Sequence, residues 1–172
     1  MIHVGGGGGA YGITLYYCTY QDVFFNSINI TSSSVASGLG LYATGTTTSV
    51  NVINNVFANP GGGYATYVDA NAAAGINTLD YNDLYTVGNF IGYWSGTSYP
   101  MLSDLQAASG KDANSISVYP AFTSSADLHS VSPWLDEAGT TVSPAIATDF
   151  DGGVRSAPHD IGADEFTAAP ST

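Results

Sequence analysis

The sequence predicts an all-β chain wound as a right-handed parallel β-helix, a solenoid of about four to six coils with one short helix and an irregular closing segment. Three observations lead there. Residues that favour strands are abundant, with 12 Tyr and 7 Phe among 172 residues. Only 9% of residues are charged, and Lys and Arg together number 2, too few to solvate the outer faces of a helical bundle. Two landmarks also recur together at intervals of roughly 23 to 29 residues, the length of one solenoid coil.

The first landmark is a glycine followed by apolar or aromatic residues: Gly12-Ile13, Gly40-Leu41-Tyr42, Gly63-Tyr64-Ala65 and Gly92-Tyr93-Trp94. The second is an apolar strand around an asparagine, Val23 to Ile28, Val52 to Phe57 and Leu79 to Leu84, which places Asn26, Asn55 and Asn82 at equivalent points of successive coils. Asparagine suits such a corner because its amide pairs with an identical amide one rung away and it tolerates a left-handed backbone. Two-residue hairpin signals are nearly missing, Asp151-Gly152 being the exception, which weighs against the alternative of a β-sandwich. Met1 to Val4 followed by five glycines lacks the basic start and apolar run of a signal peptide, so the chain reads as beginning within an architecture. The Gly5 to Gly9 end would then present an open sheet edge, inviting end-to-end self-association.

Residues 1–98 are therefore assigned to coils. Beyond them, Leu102, Leu105 and Ala108 at helical spacing predict a short helix, capped by Ser98 or a neighbour and ended by Gly110. Ser115 to Val118 predicts a strand, and Pro120, Pro133, Pro144 and Pro158 divide the remainder of a closing segment over 99–166. Residues 167–172, small, polar and proline-containing, read as a flexible linker.

A net charge of −12 with two cations excludes a row of phosphate contacts, and with it nucleic-acid binding and attraction to anionic membranes. No window is long and apolar enough for membrane insertion. Divalent cations suit such a charge; the favoured reading is a surplus of Asp that keeps a surface with few charges soluble. Cys18 is the single cysteine and reads as a small buried hydrophobe.

Asp149-Phe150-Asp151-Gly152 opens like a calcium loop, with Asp160 at the twelfth position, though Val154 replaces the glycine and Asp the bidentate Glu that such loops use. The competing reading makes Arg155 a buried guanidinium that ties Asp149, Asp151, Asp160 or Asp164 and closes the end of the solenoid. Coil aspartates Asp22, Asp69, Asp80 and Asp83 could stack into an acidic strip, which makes Asp80 and Asp83 weak catalytic candidates. His3, His129 and His159 show no metal-ligand spacing, and Ser130 beside His129 has no orienting context for a nucleophile, so all read as surface residues. Tyr42, Tyr64, Tyr67, Tyr93 and Trp94 fall on the glycine landmark and could form an aromatic ladder that contacts sugar rings; stacking between rungs without a ligand is the alternative. The run Ala43 to Thr48 carries an ice-binding type of Thr pattern only once, not on every coil.

The closing stretch runs Leu105-Gln106-Ala107-Ala108-Ser109-Gly110-Lys111-Asp112-Ala113-Asn114, then Tyr119-Pro120-Ala121-Phe122, Ser132-Pro133-Trp134-Leu135-Asp136, Asp149-Phe150-Asp151-Gly152-Gly153-Val154-Arg155 and Asp160-Ile161-Gly162-Ala163-Asp164-Glu165-Phe166. It resembles the C-terminal segment of secreted bacterial right-handed parallel β-helix proteins of the pectate-lyase-like superfamily, where such a segment precedes a secretion or anchoring domain. The resemblance covers about the last 65 residues and implies a fold and an extracellular or cell-surface address, not an activity. Lyases of that superfamily use Arg or Lys bases, and here Lys111 and Arg155 both lie outside the coil strands; the Gly-His-Gly and Arg-Ile-Lys elements of its pectin hydrolases are missing. The expectation is a rigid stalk or carbohydrate-contacting adhesion module, its partner a polysaccharide or cell-surface glycan. The alternatives are the C-terminal part of a polysaccharide lyase or glycoside hydrolase, or a self-associating fibre module.

Overall fold

The computed structural model describes residues 1–168. Nine strands wind three turns: β1 (Ile2–Val4), β2 (Ala10–Tyr16), β3 (Asp22–Phe24), β4 (Ser27–Ile30), β5 (Gly38–Thr44), β6 (Val50–Ile53), β7 (Val56–Asn59), β8 (Tyr64–Val68) and β9 (Ile76–Asp80). Each turn gives one strand to each of three parallel sheets, ordered β1-β4-β7, β2-β5-β8 and β3-β6-β9. A helical turn, α1 (Ala70–Ala73), interrupts the third coil, so there are two helices, not one. β10 (Asp83–Thr86) and β11 (Gly92–Trp94) begin a further turn that no strand completes, and the solenoid therefore has about three turns instead of four to six. None of the described helices is long and apolar enough to cross a membrane.

Identical register stacks like on like. Ile2, Ile28, Phe57 and Leu84 form one column; Val23, Val52 and Leu79 a second; Leu15, Ala43, Val68 and Trp94 a third. One column from each sheet meets at the centre, where each fully buried aliphatic or aromatic side chain contributes about 1.5–3 kcal/mol. The sheets approach closely enough that a Cβ on Gly12 would lie 2.4 Å from Ile28 Cγ2, and one on Gly40 would lie 3.1 Å from Phe57 Cβ. That contact explains the glycine landmark on the first two turns. On the third, Ala65 takes the place beside Gly40 and Gly63 falls two residues ahead of it, so the landmark slips out of register.

At the corner between the third sheet and the first, Asn26, Asn55 and Asn82 stack. Asn26 Nδ2 and its backbone N–H donate to Asn55 Oδ1 at 2.9 and 3.0 Å; Asn55 Nδ2 and N–H donate to Asn82 Oδ1 at 3.0 and 2.9 Å. The Asn82 N–H ends the series on Ser115 Oγ at 2.9 Å. The left-handed residues of this corner are the preceding ones, Phe25, Asn54 and Tyr81, with φ of 54°, 60° and 54°. Asparagine is thus used for its amide, and the residue before it absorbs the strained backbone.

The last turn is closed over. β12 (Thr97–Tyr99) folds back antiparallel on β11 through Ser95-Gly96, both at positive φ, a hairpin without an Asn-Gly or Asp-Gly turn to signal it. α2 (Leu102–Ser109) follows, with Leu105 fully buried and Gly110 as a left-handed C-cap; its N-cap is Met101, without a side-chain bond, because Ser98 is in β12. Ile116 bridges to Asp83 in place of the four-residue strand expected over 115–118, and Asp112 N–H donates to Leu79 O at 2.7 Å. The closing segment then packs Leu135 and Ile161 on Val56 and Ala58, the outer face of the first sheet. Covered on both faces, β7 is buried at every residue. At the other end β1, β2 and β3 pair on one side only, and Cys18 is half-buried against the core there. Of the linker region, residues 169–172 lie outside the described residues; Ala168 N–H donates to Asp136 Oδ2 at 3.0 Å.

Candidate functional site

Alternation along the second sheet decides which aromatics face outward. Tyr42, Tyr67 and Tyr93 share one register position on β5, β8 and β11 and lie on the outer face. Trp94, the next residue, points inward and is 8% exposed, so it belongs to the core and not to a sugar-binding row. Tyr67 and Tyr93 stack at 4.1 Å with planes 3° apart, while Tyr42 stacks on Tyr11 at 5.3 Å and meets Tyr67 edge-on. Rings stacked this way cover each other's faces and present edges and hydroxyls to solvent. Burial first, then the hydrogen bond with Tyr93, pushes the Tyr67 phenol up to about 12, so it stays neutral.

Tyr64 stands across this column, at 83° to Tyr67 and 80° to Tyr93, and its hydroxyl is 2.9 Å from Ser98 Oγ. Phe90 lies nearly parallel to Tyr64 at 6.2 Å and is 42% exposed. Together with Val35, Val87 and glycines 62, 63 and 88 these rings line an open groove of about 570 Å³, with Asn89 at its side and no charged side chain among its described lining residues. Phe90, Val87 and Val35 lie in loops off the repeat, so the landmark pattern misses them. A second, smaller hollow of about 340 Å³ opens between the first sheet and residues 119–125, beside Tyr85 and Tyr119.

The coil aspartates do not make a strip. Asp22 accepts from Asn51 Nδ2 at 2.8 Å, and Asp69 caps α1, accepting from the N–H groups of Asn71 and Ala72, both at 2.8 Å. Asp80 holds Asn114 through its backbone N–H at 2.7 Å and its amide at 2.8 Å. Asp83 is fully buried beneath the closing segment, accepting from Val118 N–H at 2.9 Å, and its Oδ2 has no partner. Sealed in this way, Asp83 cannot reach a substrate as a general acid. Burial pushes it up to about 8; burial likewise pushes Asp112, which accepts from Ser115 Oγ at 2.6 Å and lies near Asp80, up to about 7.

These two carboxyls set a pH dependence. Both have an ordinary value of 3.8, so between pH 4 and 8 the folded chain binds protons that the unfolded chain has released, and stability falls as pH rises. The melting temperature is therefore expected to rise as pH is lowered from 8.5 to 5, and Asp83→Asn is expected to make that rise shallower without removing it, because the raised His129 contributes with the same sign. A calorimetric profile that is level or inverted over this range would contradict the burial of the two groups.

In the closing segment Arg155 is buried, but no aspartate holds it. Nη1 pairs with Glu165 Oε2 at 3.1 Å, Nη2 donates to Gly162 O and Ala163 O at 3.2 and 2.7 Å, and the guanidinium lies 4.0 Å from the Phe25 ring centroid. The aspartates are occupied elsewhere: Asp151 and Asp164 stand at His129, and Asp160 and Asp149 accept from backbone. Asp160 accepts from Glu137 and Phe166 N–H at 2.7 and 2.6 Å, and burial lifts it to about 6; Asp149 Oδ1 accepts from Asp151 and Gly153 N–H at 3.0 and 2.7 Å. Among the described residues, Asp149, Asp151 and Asp160 do not come together as a ligand set for calcium.

A different set does. His129, Asp151 and Asp164 bring one ligand atom each within 4.8 Å of one another. His129 Nε2 is 2.9 Å from Asp151 Oδ2 and Nδ1 hydrogen-bonds Asp127 Oδ1, so His129 is clamped between carboxylates rather than free on the surface. The bonds to Asp127 and then Asp151 push His129 up to about 9. Burial raises the Asp164 carboxyl, and Asp149 and Asp151 add to this against the pull of His129. Separations of 22 residues to Asp151 and more to Asp164 hide this grouping from any spacing rule. His3 bonds Thr31 Oγ1 at 2.8 Å, His159 stacks edge-on against Phe25, and Ser130 is buried with its hydroxyl on Pro120 O at 2.6 Å.

Comparison with protein-family models, with curated proteins and with solved structures finds no match to this chain.

Proposed function

We propose that this chain is a rigid solenoid module, displayed outside the cell, that contacts neutral carbohydrate along its tyrosine face and carries out no chemistry there. The observation that carries this reading is the uncharged groove walled by Tyr64, Tyr67, Phe90 and Tyr93. Ring faces at Phe90 match the C–H face of a pyranose, and the phenol edges of the stacked tyrosines offer hydroxyls to its hydroxyl groups. Acidic glycans fit poorly. The chain carries −12, Lys111 Nζ is engaged by Asn77 O at 2.8 Å, and Arg155 is buried, so the groove has no cation to meet a uronate. The resemblance of the closing segment to secreted bacterial β-helix proteins supports the extracellular address.

Titration calorimetry against neutral β-linked oligosaccharides and polygalacturonate tests the reading. Neutral chains are expected to bind and polygalacturonate is not. The double substitution Tyr64→Ala, Phe90→Ala is expected to weaken binding about tenfold or more, since each lost aromatic contact is worth roughly 0.5–1.5 kcal/mol beyond its buried area. Absence of binding to every neutral glycan, or binding unaltered by the double substitution, would remove the groove from consideration.

A further inference from the structure

We propose that His129, Asp151 and Asp164 form a zinc-type metal site that clips together three separate stretches of the closing segment. The inference is independent of the carbohydrate reading, because none of these residues lines the tyrosine groove.

The donor set is one imidazole nitrogen and two carboxylate oxygens, already within 4.8 Å of one another. Three protein ligands with water in the remaining position is a common arrangement for Zn²⁺, with bonds of about 2.0–2.2 Å to His and Asp. Moving from a 2.9 Å hydrogen bond between His129 Nε2 and Asp151 Oδ2 to joint ligation of one ion takes small side-chain adjustments only. The imidazole selects the metal class: Ca²⁺ and Mg²⁺ take oxygen ligands, whereas imidazole nitrogen favours Zn²⁺ and its first-row neighbours.

Two further features point to a cation. Asp127 accepts from the other ring nitrogen of His129, which keeps a proton on Nδ1 and leaves Nε2, once an ion displaces the proton it shares with Asp151, as the ligand atom; this carboxylate–histidine pairing is how ligating histidines are oriented. The charge is also unbalanced. Three carboxylates, Asp127, Asp151 and Asp164, gather about one imidazole, with Asp149 adding negative charge beside Asp164, while both side-chain cations of the chain are engaged elsewhere. The ligands come from residues 129, 151 and 164, so an ion would tie the 127–130 stretch to the 149–153 turn and the 162–166 end of the segment, which Phe150 N–H to Ala163 O and Glu165 N–H to Asp149 Oδ2 already join.

The test uses the whole chain after chelator treatment and dialysis, titrated with Zn²⁺, Co²⁺ and Ca²⁺ and followed by calorimetry, by Co²⁺ d–d absorption and by melting temperature. One Zn²⁺ per chain is expected, with a tetrahedral or five-coordinate Co²⁺ spectrum and a rise in melting temperature. Asp164→Asn is expected to lose tenfold or more in Zn²⁺ affinity, and Asp127→Asn to weaken it about 10- to 100-fold at unchanged stoichiometry. His129→Gln should abolish both the Co²⁺ spectrum and the thermal shift. Zn²⁺ binding no tighter than that of His129→Gln, or Ca²⁺ binding as tightly as Zn²⁺, would reduce the cluster to an ordinary ion pair and overturn the proposal. Should His129→Gln fail to fold, the ¹⁵N shift of His129 Nε2 in the intact protein decides: displacement on adding Zn²⁺ supports the site, and an unmoved signal overturns it.

Discussion

Asn55→Ala is expected to destabilise the fold by about 3–5 kcal/mol, the sum of several buried polar groups left without partners at roughly 1–3 kcal/mol each. Asn55 is fully buried at the centre of the corner ladder. Its Oδ1 receives two bonds from Asn26, and its Nδ2 donates to Val23 O, Ile53 O and Asn82 Oδ1 at 2.8, 3.0 and 3.0 Å. Alanine cannot replace any of these, and water cannot enter without opening the corner. Asn26, half-buried on the first turn, has a partner on one side only, so Asn26→Ala should cost markedly less. Urea denaturation of the two variants checks the ladder. Equal midpoints would mean that the amides decorate the corner and do not hold it.

Arg155→Met is expected to cost a similar amount, about 3–5 kcal/mol, the usual penalty for removing one partner of a buried ion pair. The guanidinium and Glu165 have side-chain exposures of 2% and 9%. Without the guanidinium, Glu165 keeps only Ser156 and the Asp160 N–H, at 3.0–3.4 Å, Gly162 and Ala163 lose a donor to their carbonyls, and the Phe25 ring loses its cation. The loss should be local before it is global: limited proteolysis is expected to cut within 140–166 faster than in the coils. The double variant Arg155→Met, Glu165→Gln should recover part of the stability, because it removes the stranded charge. Cutting rates indistinguishable from the parent chain would show that Arg155 does not fasten the closing segment.

Stacked rungs were legible because solenoid winding repeats itself in the sequence. Asn26, Asn55 and Asn82 occupy the same corner because each turn must solve the same backbone problem, and Gly12 and Gly40 recur because the same two sheets approach at the same place. Alternation in strands also tells that Tyr93 and Trp94 face opposite ways, though not which of them faces out. The inward column of Leu15, Ala43 and Val68 decides that, and it places Trp94 in the core.

What the linear order determined by itself is the parallel wound architecture, its repeat length and the residues that stack, since these depend on neighbours one rung away. Tertiary structure alone decided where the winding stops, that Glu165 and not an aspartate neutralises Arg155, that Asp83 is sealed from solvent, and that His129 meets Asp151 and Asp164. All four lie in or beneath the closing segment, which has no repeat. Its contacts join residues far apart along the chain through burial and charge, and no period in the sequence records which carboxylate the folded chain will bring to which partner.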